Sequence, residues 1–243
     1  MHEFTFSLAD LLPSWHIYRD RGHAGAQLGE RLEAYRGHDV LVLGIPRGGV
    51  AVAAEVARRL NADLDIVVAR KLGAPFQPEL AIGAVTANGG RYLNDALVLV
   101  ERVTDEYIEA VTAREMAEAR RQEERLRVGR AASRVEGRTV IVVDDGLATG
   151  ATMRAAVHSL RQLARRVVVA VPVAPSVTCD ALRAEADEVI ALHEPEPFLA
   201  VGLYYKDFRP TEEREIQRLM RASARRARGA GRPHRTGRQP EAA

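Results

Sequence analysis

Short runs rich in valine, isoleucine and leucine recur along the chain, separated by stretches whose apolar residues fall at helical spacing. Val40 to Leu43, Leu64 to Ala69, Thr139 to Val143, Arg166 to Val171 and Glu188 to Leu192 are too short for buried helices and read as strands covered on both faces. From Arg19 to Tyr35 the residues Ala24, Leu28, Leu32 and Tyr35 form the apolar stripe of an amphipathic helix. Further helices are predicted over Val50–Leu60, Met153–Leu163 and Val177–Ala184, and a short last one over 211–220. A long helix from about Thr104 to Arg127 has few large apolar residues, so most of its surface faces solvent. It either lies across the body or pairs with another subunit in a homodimer. Residues 91–100 read as extended, and a short strand is predicted around Ala81–Val85. Strand and helix alternating from 40 to 192 demand an α/β fold, a central parallel sheet flanked by helices.

Composition adds bounds. With 243 residues, 47% hydrophobic and 28% charged, the chain is long enough for one sizeable α/β domain and has ordinary globular proportions. The lone Cys179 excludes an internal disulfide framework and reads as a buried, unreactive thiol. No apolar run approaches the length of a membrane span or a signal-peptide core, so a cytoplasmic location with no membrane partner is the expectation. The formal charge of +2 hides an asymmetry: from Arg221 onward seven arginines and one glutamate give +6, leaving −4 for the first 220 residues. The domain is therefore drawn at 1–220 and 221–243 is expected to be a basic disordered tail, passive rather than bound to nucleic acid. Phe4, Phe6, Leu8, Leu11, Leu12 and Trp15 suggest an arm packed on the body.

The most informative stretch is Thr139–Met153, TVIVVDDGLATGATM. A buried strand stops at two adjacent carboxylates, Asp144 and Asp145. A turn with Gly146 and Gly150 follows, with Thr149 and Thr152 placed to cap the next helix. Converging backbone N–H groups and a helix N-terminus make a phosphate cradle there. Carboxylates beside a phosphate repel it unless they face sugar hydroxyls or a divalent metal. The phosphate and nucleophile motifs G-x-x-x-x-G-K-[ST], G-x-G-x-x-G and G-x-S-x-G are absent. A second strand-turn-helix, G-I-P-R-G-G over 44–49, again brings glycine amides to a helix N-terminus, now beside Arg47. Arg70 and Lys71 follow the second predicted strand, at the edge where open α/β sheets place ligands. Lys71 is one of only two lysines among 35 basic residues, which singles it out.

Hydrophobic run, two acids and T-G-x-T (VIVVDDGLATGAT, 140–152) resemble the 5-phosphoribosyl-1-pyrophosphate (PRPP) loop of the type I phosphoribosyltransferases. RKLGAPFQPELAIGAV (70–85) is similar to a subgroup of predicted phosphoribosyltransferases. The resemblance implies transfer of the 5-phosphoribosyl group from PRPP to a nucleophilic acceptor, a nucleobase by preference, with release of pyrophosphate and Mg²⁺ as cofactor. It implies that Asp144 and Asp145 hold the ribose, directly or through Mg²⁺, and that Ala148, Thr149, Gly150, Ala151 and Thr152 wrap the 5′-phosphate. Arg47, Gly48 and Gly49 would face the pyrophosphate, joined by Arg70 and Lys71, with the family's flexible loop between 70 and 85. Asp144, Asp145, Arg47 and Lys71 are the catalytic candidates. A hood at 193–210 would grip the acceptor, with Phe198, Tyr204, Tyr205 and Phe208 as stacking candidates and Asp207 as a polar contact. Members acting on 6-oxopurines carry an acid where this chain has Ala148, which argues against hypoxanthine and guanine. A PRPP-sensing regulator without turnover, and an enzyme acting on another phosphorylated ribose, remain alternatives.

Overall fold

The structure, a computed structural model, describes residues 18–229. The expected N-terminal arm and the chain beyond 229 lie outside that range. Five parallel strands form the main sheet in the order β2-β1-β6-β7-β8: β1 Val40–Gly44, β2 Asp63–Ile66, β6 Thr139–Val143, β7 Arg166–Val173 and β8 Glu188–His193. The strands alternate strictly between two cores. Val40, Val42, Ile141, Val143, Val168 and Ala170 face one side; Leu41, Leu43, Val140, Val142, Val167, Val169 and Val171 face the other. Both sets are buried, which is why the sequence shows continuous apolar runs instead of alternation.

On the first side lie α1 Arg21–Arg31, α2 Gly48–Leu60, the C-terminal half of α4 Asp105–Arg127 and α7 Glu213–Gly229. α5 Ala151–Leu160 and α6 Ser176–Arg183 cover the second, with Cys179 fully buried and its thiol pushed up to about 11 by that burial. α1 lies unusually close to α2: a Cβ at Gly25 would stand 2.6 Å from the Val52 carbonyl oxygen. Asp20 caps α1 by accepting from the His23 N–H at 2.7 Å. Together these fix the first turn of α1 in space.

Several expected boundaries move. Leu64–Ala69 does not form one strand; the chain leaves the main sheet after Ile66 and starts β3, Ala69–Gly73. β3 pairs antiparallel with β4 Ala81–Thr86, which pairs with β5 Arg91–Leu93, so Arg70 and Lys71 sit in a separate three-stranded sheet. Residues 91–100 are not extended throughout: Asn94 caps a short helix, α3 Asp95–Val100, by accepting from the Leu97 N–H. α4 matches its predicted span, starting at a Thr104 cap. It lies across the body: Ile108 and Val111 pack on the small sheet, while Ala119 and Leu126 join the main core. Its last turn is anchored by Arg127, whose Nε donates to the buried Asp65 at 3.1 Å.

α7 runs through 220, where a disordered tail was expected, and continues to Gly229. Its buried residues Ile216, Met220 and Ser223 recur at helical spacing, and that apolar face, too sparse to stand out among the arginines, holds the helix on the core. Ile216→Ala should cost about 2–5 kcal/mol of stability in urea unfolding. A loss under about 0.5 kcal/mol, as for a surface position, would mean that α7 is not docked in this way.

Candidate functional site

β1 leads to β2 on one side of the sheet, and β6 lies on the other, so the direction of winding reverses between β1 and β6. Ligands of open α/β sheets bind outside the carboxyl ends of such a pair. Gly44 and Val143 are direct partners there, and the Ile45 N–H donates to the Val143 carbonyl at 2.9 Å. The two sequence motifs therefore emerge side by side.

Both turns end in helices whose first amides lack a side-chain cap. α2 begins after Arg47, whose side chain makes no capping bond. α5 begins after Gly150, at φ 72°, and Thr149 and Thr152 do not cap it, contrary to expectation. A Thr cap would satisfy an amide that the turn instead leaves available to an anion. Thr149 and Ala148 are exposed, while the Ala148 carbonyl is tied to α6 by the Thr178 hydroxyl at 2.6 Å. At Gly150 a Cβ would stand 2.7 Å from Thr178 Cγ2, so the left-handed turn and the close approach both require glycine.

The acid pair lies against the other turn. A Cβ on Gly48 would overlap Asp145 Oδ2 and stand 2.8 Å from Arg21 Nε; one on Gly49 would stand 2.8 Å from Asp144 Oδ1. Asp144 Oδ1 accepts from the Asp145 N–H at 2.8 Å. Burial and then the Asp145 charge push the Asp144 carboxyl well above the usual carboxylate range. Asp145 Oδ2 accepts from Arg21 Nε at 2.7 Å, and both side chains are largely buried. Sequence reasoning did not find Arg21. One signal was available: a cation in the first turn of a helix opposes the dipole, and α1 has no acid there.

The hood rings pack on one another. Phe198 stacks on Tyr204 at 5.9 Å, and Tyr205 lies between Tyr18 at 5.3 Å and Phe208 at 5.0 Å. These rings pack into a small cluster with Val173, in which Tyr204 and Tyr205 are buried and Phe198 and Phe208 half-buried. Tyr205 donates its hydroxyl to the Asp145 carbonyl at 2.6 Å, and Phe208 lies 4.0 Å beneath the Arg21 guanidinium. Asp207 turns outward to Arg209, whose guanidinium holds its carboxyl down to about 2. The hood thus supports the acid pair from behind.

The small sheet separates the two cations placed together in sequence. Arg70 faces α4 and donates to Glu115 at 2.7 Å. Lys71 is exposed and opposes Ala84, which opposes Tyr92 in turn; that row packs against Ala151 and Ala155 at the start of α5. Lys71 is therefore on the face that meets the start of α5, and Arg70 is not.

No group of three or more His, Cys, Asp or Glu among the described residues could hold a metal ion. Asp144 and Asp145 offer hard oxygen donors, which suit Mg²⁺ when substrate phosphates and water complete the shell. No helix among the described residues is long and apolar enough to cross a membrane.

Because the native Asp144 carboxyl is raised, its protonated form is favoured by folding. That contribution is complete below the unfolded value, about 4, and is lost as pH rises toward the native value. Asp144→Asn, which keeps the acceptor for the Asp145 N–H, should melt higher than the parent at neutral pH in a chelator, with the gap closing near pH 4. A variant that melts lower at every pH would refute the raised carboxyl.

The family model of the phosphoribosyl transferase domain matches residues 17–194. "Putative phosphoribosyl transferase MT0597" and "Putative phosphoribosyl transferase Rv0571c", both of Mycobacterium tuberculosis, are each 46% identical over 201 residues, 82% of this chain. The chain spans 45% of the length of these curated relatives. The crystal structure of TT1426 from Thermus thermophilus is 46% identical and superposes with a TM-score of 0.72, covering 84% of this chain and 97% of that one. Matched across both cores and both turns of the site, the chain belongs to the phosphoribosyl transferase domain family.

Proposed function

We propose that the protein transfers the 5-phosphoribosyl group from PRPP to a nucleophilic acceptor with release of pyrophosphate. The observation that carries this reading is the contact of Gly48 and Gly49 with the acid pair, which joins two uncapped helix N-termini around two carboxylates. Two anion sites flanking a hydroxyl-binding pair match a sugar phosphorylated at both ends. In this reading residues Ala148–Thr152 bind the 5′-phosphate, and Asp144 and Asp145 accept from the ribose hydroxyls. Arg47 and the Gly48 and Gly49 amides bind the pyrophosphate, with Lys71 approaching across the small sheet.

The bond to the leaving oxygen breaks ahead of attack, so positive charge grows on the sugar and negative charge on the pyrophosphate. Arg47, Lys71 and the amides of α2 stabilise the second, and the orientation of Asp144 and Asp145 holds the first. Asp144 and Asp145 would hold Mg²⁺, whose charge would further neutralise the leaving group. The loop between β3 and β4 excludes water when closed. Ala148 in place of an acid disfavours 6-oxopurines, since nothing there takes their proton. Phe198, Tyr205, Phe208 and Asp207 stand on the acceptor side of this reading, with other nucleobases and amines as the acceptor class.

The test pairs binding with turnover. PRPP with Mg²⁺ should raise the melting temperature, and an acceptor screen should show pyrophosphate release. Arg47→Ala should slow release about 30- to 1,000-fold, the 2–4 kcal/mol of one charge-assisted contact, while weakening PRPP binding far less. Equal losses in both would contradict the leaving-group role. PRPP binding with no release for any purine, pyrimidine or amine would favour a sensor instead.

A further inference from the structure

Arg21 is a charged group at the site that neither motif contains, and its setting is unlike that of a surface ion pair. Its guanidinium does three things at once: Nε donates to Asp145 Oδ2 at 2.7 Å, Nη1 donates to the Arg209 carbonyl at 2.8 Å, and the plane lies 4.0 Å over the Phe208 ring. Its backbone is held by the Asp20 cap and by the close approach of α1 to α2 at Gly25. The hood is zipped onto the residues just before it: the Lys206 N–H donates to the Tyr18 carbonyl at 2.8 Å and the Asp207 N–H to the Arg19 carbonyl at 3.0 Å. Arg21 is therefore held at its backbone and at its guanidinium, and leaving Asp145 would cost it the Arg209 and Phe208 contacts as well.

The consequence lies at the carboxylates. Asp145 Oδ2 is taken by Arg21 and Asp144 Oδ1 by the Asp145 N–H, and the two carboxyl groups also meet each other side chain to side chain. A permanent positive charge in contact with one member of the pair also lowers the pair's attraction for a second cation. We propose that Arg21 is a positioning residue that serves as the built-in counter-ion of Asp145, orienting its carboxylate and setting how strongly the pair binds a divalent metal. This inference rests on the reading of Asp144 and Asp145 as the sugar- and metal-facing pair. It makes Arg21 a link between the hood and the ribose site: loosening Phe208 should be felt at the carboxylates.

The sign of the effect separates this role from structural support. Mn²⁺ binding to the full chain without PRPP, followed by electron paramagnetic resonance, should be at least roughly tenfold tighter in Arg21→Gln, the low end for removing a unit charge in contact with a carboxylate. Arg21→Lys, which keeps the charge, should stay near the parent, and Asp145→Asn added to Arg21→Gln should abolish the gain. Phe208→Leu leaves Arg21 in place but removes its platform, so it should shift Mn²⁺ binding in the same direction by less. In the presence of saturating metal, Arg21→Gln should raise the PRPP dissociation constant roughly tenfold, as for other groups that orient a ligating residue. Unchanged or weaker Mn²⁺ binding in folded Arg21→Gln overturns the proposal, as does a parent and variant that both bind no Mn²⁺ at millimolar concentration. Should Arg21→Gln fail to fold, Phe208→Leu decides by the same criterion. A parent that binds Mn²⁺ but never PRPP would sink the transferase reading alone, and the metal comparison would still judge Arg21.

Discussion

Placing Asp145 against the first turn of α2 requires that nothing larger than a hydrogen atom occupy position 48. That steric constraint is coupled to an electrostatic one. Two carboxylates at the end of a buried strand repel each other and lose hydration, and the burial shows in the raised Asp144 carboxyl. Arg21 offsets part of this cost at 2.7 Å from Asp145. The rest of the architecture serves to hold these groups together: parallel β1 and β6 in register, α1 seated on α2, and the aromatic hood closing behind the Asp145 carbonyl. The site is thus a preorganised arrangement mounted on strand ends and helix starts.

Much of the main sheet was legible because its strands are buried on both faces and carry unbroken apolar runs, as Thr139–Val143 does. The long helix was legible as well, since Thr104 caps it and its charged surface keeps an unambiguous period. The acid pair and the two glycine turns stood out because local chemistry dictates them: only small residues pass where amides must converge.

What was not legible depends on contacts distant in sequence. Arg70 and Lys71 are adjacent, and no local pattern says that one turns to Glu115 and the other toward α5; that follows from the antiparallel pairing with β4. The hood aromatics read as ligand platforms or as core, and their packing rests on the ring of Tyr18, far away along the chain, which no local pattern shows. The caps at Thr149 and Thr152 failed for a different reason. On the proposed reading a phosphate takes these helix amides, and the usual start signal is used against its ordinary meaning. Arg21 was hidden because its partner lies 124 positions along the chain.

The central claim, that both turns and the acid pair form one site for a doubly phosphorylated ribose, is tested most directly by a crystal structure of the protein with PRPP and Mg²⁺. The account predicts the 5′-phosphate on the amides of residues 148–152, the ribose hydroxyls at Asp144 and Asp145, and the pyrophosphate at Arg47, Gly48 and Gly49. PRPP bound elsewhere, or bound with the α2 turn empty, would contradict it.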